Sequence, residues 1–191
     1  MPRQVFRFDP PERFVAGTVG EPGQRTFFLQ ARGGGRLVSV ALEKEQVTVL
    51  AERMDGLLDE VQRLAASEGG AAAPGPAAEV EDLEPLEQPI VEEVRVGVLR
   101  LGWEGEEERV LVEAFAVAES DGDDGDDDDL DAEDDERDVL SVRLTGQAAR
   151  AFVARARAVV SAGRPPCPLC AQPLDPAGHV CPRQNGYRRR G

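Results

Sequence analysis

Three cysteines and one histidine are all that this 191-residue chain holds of either type, and they stand together at Cys167, Cys170, His179 and Cys181. In "CPLC" two thiolates sit three positions apart, so one tight turn aims both sulfurs at a single cation. In "GHVC" the donors are at i and i+2, which share a face if the chain there is extended. The intervening "PLDPAG" is rich in turn formers and doubles the chain back. Three thiolates and one imidazole complete the tetrahedral shell that Zn2+ prefers. Four protein ligands leave no open coordination position, and Asp175 is the only carboxylate inside the loop. The expected Zn2+ is therefore structural, and its binding energy folds about 20 residues that have almost no apolar core of their own. Two other readings of the same thiols remain, a redox pair and an incidental set on a plain tail. A redox pair calls for a strand followed by a helix N-terminus. Here a helix is ending, Gly163, Pro165 and Pro166 intervene, and Pro168 lies inside the motif.

Beyond the ligands the tail carries Arg183, Tyr187, Arg188, Arg189 and Arg190. A basic, aromatic-bearing tail can grip nucleic-acid phosphates or an acidic partner, although terminal arginines are also commonly just solvated. Enzyme signatures are absent: there is no P-loop, no G-x-S-x-G and no dinucleotide fingerprint, and "RGGGR" reads as a hairpin turn. With the only imidazole assigned to metal, Ser/His and Cys/His chemistry has no base. "DPPER" (Asp9 to Arg13) reads as an extended lead into a strand.

The elements that must position this tail come from two blocks of the same internal order. In the first, alternating β-branched and aromatic residues mark strands over 13–20, 25–31 and 37–43, and "KEQVTVLAERMDGLLDEVQRL" is helical. In the second, strands are expected over 93–103, 109–117 and 139–145, followed by the helix "GQAARAFVARARAVVSAG". Each helix has one apolar stripe: Val47, Leu50, Met54, Leu57, Leu58 and Val61 in the first, Phe152, Ala156, Val159 and Val160 in the second. Thr145 is the expected N-cap of the second helix and Gly163 its terminator. "VSVAL" at 38–42 lies in register with "LSVRL" at 140–144. A duplicated βββα unit follows, giving an α+β fold in which six strands, mostly antiparallel, carry two helices on one face.

Two stretches are expected to stay outside that body. Ala65 to Pro89 is Ala/Gly/Pro-rich and then acidic, as a flexible linker is. Glu119 to Asp138 holds fourteen Asp or Glu against one Arg, so it carries −13 of the formal −15 and leaves −2 for the rest. Such a run repels itself and is expected to be a disordered insert in a hairpin loop, where added length costs little. The boundaries are a first repeat over 1–66, a linker over 67–89, a second repeat over 90–163 with the insert at 119–138, and a zinc-binding tail over 164–191. No apolar run of about 18 residues exists to cross a membrane, and the N-terminus has no secretory apolar core. A cytoplasmic location is expected, in which three cysteines serve a metal rather than disulfides. One Lys against 21 Arg, with one Ile and one Asn, points to a high-GC genome.

"FRFDPPERFVAGTVGEPGQRTFFLQA" at one end and "GRPPCPLCAQPLDPAGHVCPRQNGY" at the other resemble an uncharacterised actinobacterial family, a conserved domain of unknown function spanning essentially the whole chain. That resemblance implies one compact unit and brings no assigned activity. The functional expectation is a non-catalytic binding or adaptor protein that presents the zinc-stapled tail to a protein partner. A nucleic-acid-associated protein and an enzyme with an unrecognised site are the alternatives.

Overall fold

The computed structural model of the chain describes residues 3–21, 23–67, 82–118, 137–162, 169 and 181. Its strands are β1 (Val5–Phe8), β2 (Arg13–Val19), β3 (Thr26–Gly33), β4 (Arg36–Leu42), β5 (Glu92–Glu104), β6 (Arg109–Ala116) and β7 (Val139–Thr145). Helix α1 (Lys44–Ser67) follows β4, and α2 (Gly146–Ser161) follows β7. The strands form one sheet in the order β1-β7-β6-β5-β4-β3-β2. It is antiparallel except where β4 pairs with β5 and β1 with β7. The fold is thus α+β, with a mostly antiparallel sheet and two helices.

Local sequence explains the boundaries. β3 and β4 are joined by Gly34 and Gly35 alone, at φ 57° and 72°, the two-residue turn that glycine makes without strain and whose twist suits a hairpin. At the start of α1 the Gln46 side chain accepts from the Glu43 N–H at 2.8 Å, and at the start of α2 Thr145 accepts from the Ala148 N–H at 3.1 Å. Thr145 is the N-cap the sequence predicts.

Two expectations are corrected. The sheet has seven strands, because Val5–Phe8 pairs with β7 in parallel register, Phe6 beside Leu140 and Phe8 beside Val142. Phe6 and Phe8 are buried there, ahead of the first strand expected from the sequence, which begins at residue 13. The second correction concerns the predicted linker. Its first residues, 65–67, are the last turn of α1, and residues 82–90 pack on the sheet, with Leu86 buried. A single leucine flanked by residues that hydrogen-bond to the body is enough to hold an otherwise polar strap.

β1 and β2 are opposite edges of the sheet, yet only residues 9–12 connect them. A flat sheet of seven strands is about 29 Å wide, whereas five chain steps reach at most about 18 Å. The sheet must therefore curl. The curl brings β1 against the far half: the Arg36 guanidinium lies 5.8 Å from the Phe6 ring centroid, and a Cβ on Gly33 would meet the Phe8 ring at 3.2 Å.

Both helices pack on the inner face. Ala16, Leu29, Val40, Val112 and Val142 alternate along their strands with outward residues and join Val47, Leu50, Met54, Phe152 and Ala156 in one apolar core. Phe14 of β2 stacks on Phe152 of α2, centroids 4.8 Å apart. On the outer face Val15, Phe28 and Ala41 form a smaller cluster closed by Leu86 and Ile90.

Candidate functional site

The predicted zinc-binding tail, 164–191, follows α2 in the sequence. Ala162 caps the helix by donating its N–H to Ala158 O at 2.9 Å, and its own carbonyl accepts from Arg25 at 2.9 Å, beside the β2–β3 turn. Of the four predicted metal ligands, Cys181 is described and is buried at 3% exposure. Cys167, Cys170 and His179 lie outside the described residues, as do Gly163, Arg183, Tyr187, Arg188, Arg189 and Arg190. Among the described residues no group of three His, Cys, Asp or Glu side chains is placed to hold a metal. They contain no imidazole either, His179 being the chain's only one.

The most elaborate polar arrangement among the described residues is one the sequence did not announce. Arg155 points from α2 past the β2 edge, donating from Nε to Ala16 O at 2.8 Å, from one terminal nitrogen to Asp82 and from the other to Glu84 O. Arg13 of β2 meets the same Asp82 carboxylate through two nitrogens, at 2.7 and 3.0 Å, and donates to Glu84 O and Pro85 O. It also reaches Glu87 at 3.4 Å. Asp82 thus lies between two guanidinium groups. The Arg13 hydrogen bond, aided by the charges of both arginines, holds its carboxyl below the usual range against the opposing effect of burial. Arg13 is raised by the same hydrogen bond, while burial pulls Arg155 down from its usual value. A guanidinium so displaced still carries its charge at neutral pH.

Deeper under the strap, the Gln30 amide donates to Glu87 O and to Ser39, and accepts from the Glu87 N–H at 2.8 Å. This buried amide replaces the backbone partners that a strand-like segment crossing a sheet face would lack. A third ionic group joins the helices: Arg150 of α2, only 4% exposed, bonds Asp55 and Asp59 of α1, and Arg157 bonds Asp55 at 2.7 Å. On the outer face Arg143 of β7 forks onto Glu104 of β5 at 2.6 and 3.0 Å, and this bond holds the Glu104 carboxyl below its ordinary value.

Chemically these groups are fasteners. All three nitrogens of Arg155 are committed to protein oxygens, and Asp82 receives both arginines, so the arrangement holds the strap rather than a reacting molecule. The sequence signal that would have found it is the arginine pair itself. Arg150 and Arg155 fall on the buried side of α2, next to Ala149 and Ala156, where a guanidinium requires an acidic or carbonyl partner.

The family comparison spans both this clasp and the predicted ligands, with residues 6–181 matching the family described as "Protein of unknown function (DUF3090)". The chain belongs to the DUF3090 family. The match runs from β1 through Cys181, while Arg183, Tyr187 and the terminal arginines lie beyond it. No curated protein and no solved structure matches the chain. No helix among the described residues is long and apolar enough to cross a membrane.

Proposed function

We propose that this chain is a cytoplasmic, non-catalytic adaptor whose curled sheet is a rigid mount for a C-terminal module folded by structural Zn2+ and presented to a protein partner. Cys167, Cys170, His179 and Cys181 supply three sulfurs and one nitrogen, a closed tetrahedral set suited to a folding role. The observation that carries the reading is the burial of Cys181, in a tail segment whose apolar content alone is too small to bury a thiol. Elemental analysis of the purified full chain is expected to return one Zn2+ per chain, with Cys181→Ser reducing it severalfold. A wild-type protein without stoichiometric transition metal overturns the reading.

We also infer that the body arose by duplication of a βββα unit, in a high-GC, actinobacterial genome. Support comes from side chains at matching positions. The buried apolar residues of α1, Val47, Leu50, Ala51, Met54 and Leu58, correspond at one constant offset to Ala149, Phe152, Val153, Ala156 and Val160 of α2, all in the core or against it. At that same offset Val40 corresponds to Val142, and each pairs with an equivalent neighbour, Leu29 and Val112. Even the parallel neighbours correspond, with β5 beside β4 and β1 beside β7.

A further inference from the structure

β5 is long, and only its first residues have a strand on each side. β4 pairs with it as far as Arg95, and Gln46 of α1 then donates to the carbonyls of Val96 and Gly97, at 3.2 Å each. Beyond Gly97 its two sides differ. The Val117 N–H donates to Arg95 O and the Ala116 N–H to Asp138 O, both at 2.8 Å. Backbone groups alternate in direction along a strand, so odd-numbered residues of β6 face β5 and even-numbered ones face β7. Through the register, Val98, Arg100, Gly102 and Glu104 turn toward β6, while the N–H and carbonyl groups of Leu99, Leu101 and Trp103 turn away from it. Those groups have no hydrogen-bond partner among the described residues. The three side chains are half-buried against the core, and on the outer face a Cβ at Gly102 would meet nothing within 4 Å. An edge in this state is a template for another strand.

The first half of the molecule shows how the corresponding edge is closed. Ala16 of β2 pairs with Leu29 as Leu101 of β5 pairs with Val112. Arg155 caps Ala16 O at 2.8 Å and takes its counter-charge from Asp82, on an extended segment, at 2.9 Å. At the offset that carries α1 onto α2, Arg155 falls on Arg53. This correspondence is one of position and does not depend on how the two halves arose. Arg53 is exposed and has no hydrogen-bond or ion-pair partner among the described residues. Its neighbours three and four positions away on the helix, Val49, Leu50, Gly56 and Leu57, bring no carboxylate. It follows Gln46 by two turns, about 10 Å, on the helix face from which Gln46 reaches β5.

We propose that the β5 edge from Leu99 to Trp103 receives an extended segment of another protein as an added strand, with a carboxylate of that segment paired to Arg53. Backbone bonds to Leu99, Leu101 and Trp103 set its register, and alternate side chains give it specificity. The apolar ones meet Leu101, Trp103 and Val49, the last 44% exposed. The acidic one does for Arg53 what Asp82 does for Arg155. A second copy is the poorer occupant, because edge-to-edge pairing would bring Leu-Arg-Leu-Gly-Trp, a stretch without a carboxylate. The proposal goes beyond the adaptor reading and needs neither the metal nor the tail.

The test selects phage-displayed random peptides, each about nine residues long to match a long strand, against the full chain. Enriched peptides are then synthesised and titrated by fluorescence anisotropy. Alternating apolar residues with one Asp or Glu are the expected enriched pattern. Arg53→Glu, an exposed change whose fold is checked by circular dichroism, should weaken binding about tenfold. A peptide with its acid replaced by Lys should recover binding to Arg53→Glu. Methylating the peptide amides that face β5 should abolish binding, and methylating the intervening ones should leave it intact. The proposal is overturned if no peptide is enriched, if wild type and Arg53→Glu bind alike, or if both sets of methylated amides behave alike. A dimer of the full chain that the enriched peptide dissociates also overturns it, by assigning the edge to a second copy.

Discussion

Gly17 is the point at which the strap depends on a missing side chain. A Cβ at that position would lie 2.5, 2.6 and 2.9 Å from Cγ, Cδ2 and Cδ1 of Leu86. With all three atoms inside contact distance, rotating the end of the leucine gives no relief. The strap cannot slide either, because Gln30 holds the next residue, Glu87, by both its N–H and its carbonyl. Gly17→Ala should therefore expel the Leu86 side chain. Losing that burial costs about 1.5–3 kcal/mol, and alanine in a strand interior recovers roughly 0.5–1 kcal/mol over glycine. The expected net destabilisation is about 1–2 kcal/mol. In a Leu86→Ala background the new methyl group enters vacated space, so the same change should be neutral or stabilising by up to about 1 kcal/mol. The resulting coupling is about 2 kcal/mol, well above the roughly 0.5 kcal/mol within which independent sites add. Urea unfolding of the four proteins, followed by far-UV circular dichroism at neutral pH, measures it. A Gly17→Ala shift of equal size in both backgrounds refutes the reasoning, since the leucine would then not be what the methyl group displaces.

Arg155→Met removes the donors to Ala16 O, Asp82 and Glu84 O. Leaving those acceptors in a largely buried site should cost about 2–4 kcal/mol in urea unfolding. Limited proteolysis should then cleave within 82–90 before the sheet unfolds. Asp82, with its carboxyl held low by Arg13, binds a proton less readily folded than unfolded. Its contribution is complete above the unfolded value of 3.8 and is lost as pH falls through the lower folded value. Asp82→Asn should flatten that part of the acid limb of a stability-versus-pH curve and leave the neutral-to-alkaline shape unchanged. Gln30→Leu keeps the volume but strips the Glu87 backbone and Ser39 of their partners, so a loss of about 2–4 kcal/mol is expected by thermal or urea unfolding.

What could be read from the sequence was whatever repeats at short range. Alternation placed six strands, and the apolar stripes picked out Val47, Leu50, Met54 and Leu58 of α1 and Phe152 and Ala156 of α2, all of which are buried. Thr145 was recognisable because capping is decided by a side chain and an N–H three residues on. β1 was hidden because four residues give too few alternations, and its partner β7 lies more than 130 residues downstream. The strap was hidden for a different reason. Its composition is that of a linker, and its order comes from Gln30, Arg13 and Arg155, which are 57 to 73 residues away in sequence. Of the predicted metal ligands, Cys181 alone is among the described residues, and it is buried.

The pairing of β1 with β7 sets an order of events at the ribosome. Val5 is made 134 residues before its neighbour Val139. At about 5–20 residues per second, Phe6 and Phe8 wait roughly 7 to 27 seconds for the strand that shelters them. Through that interval the nascent chain carries two unsheltered phenylalanines, a target for chaperones that bind exposed aromatic segments. Among the described strands, the last to be synthesised secures the first.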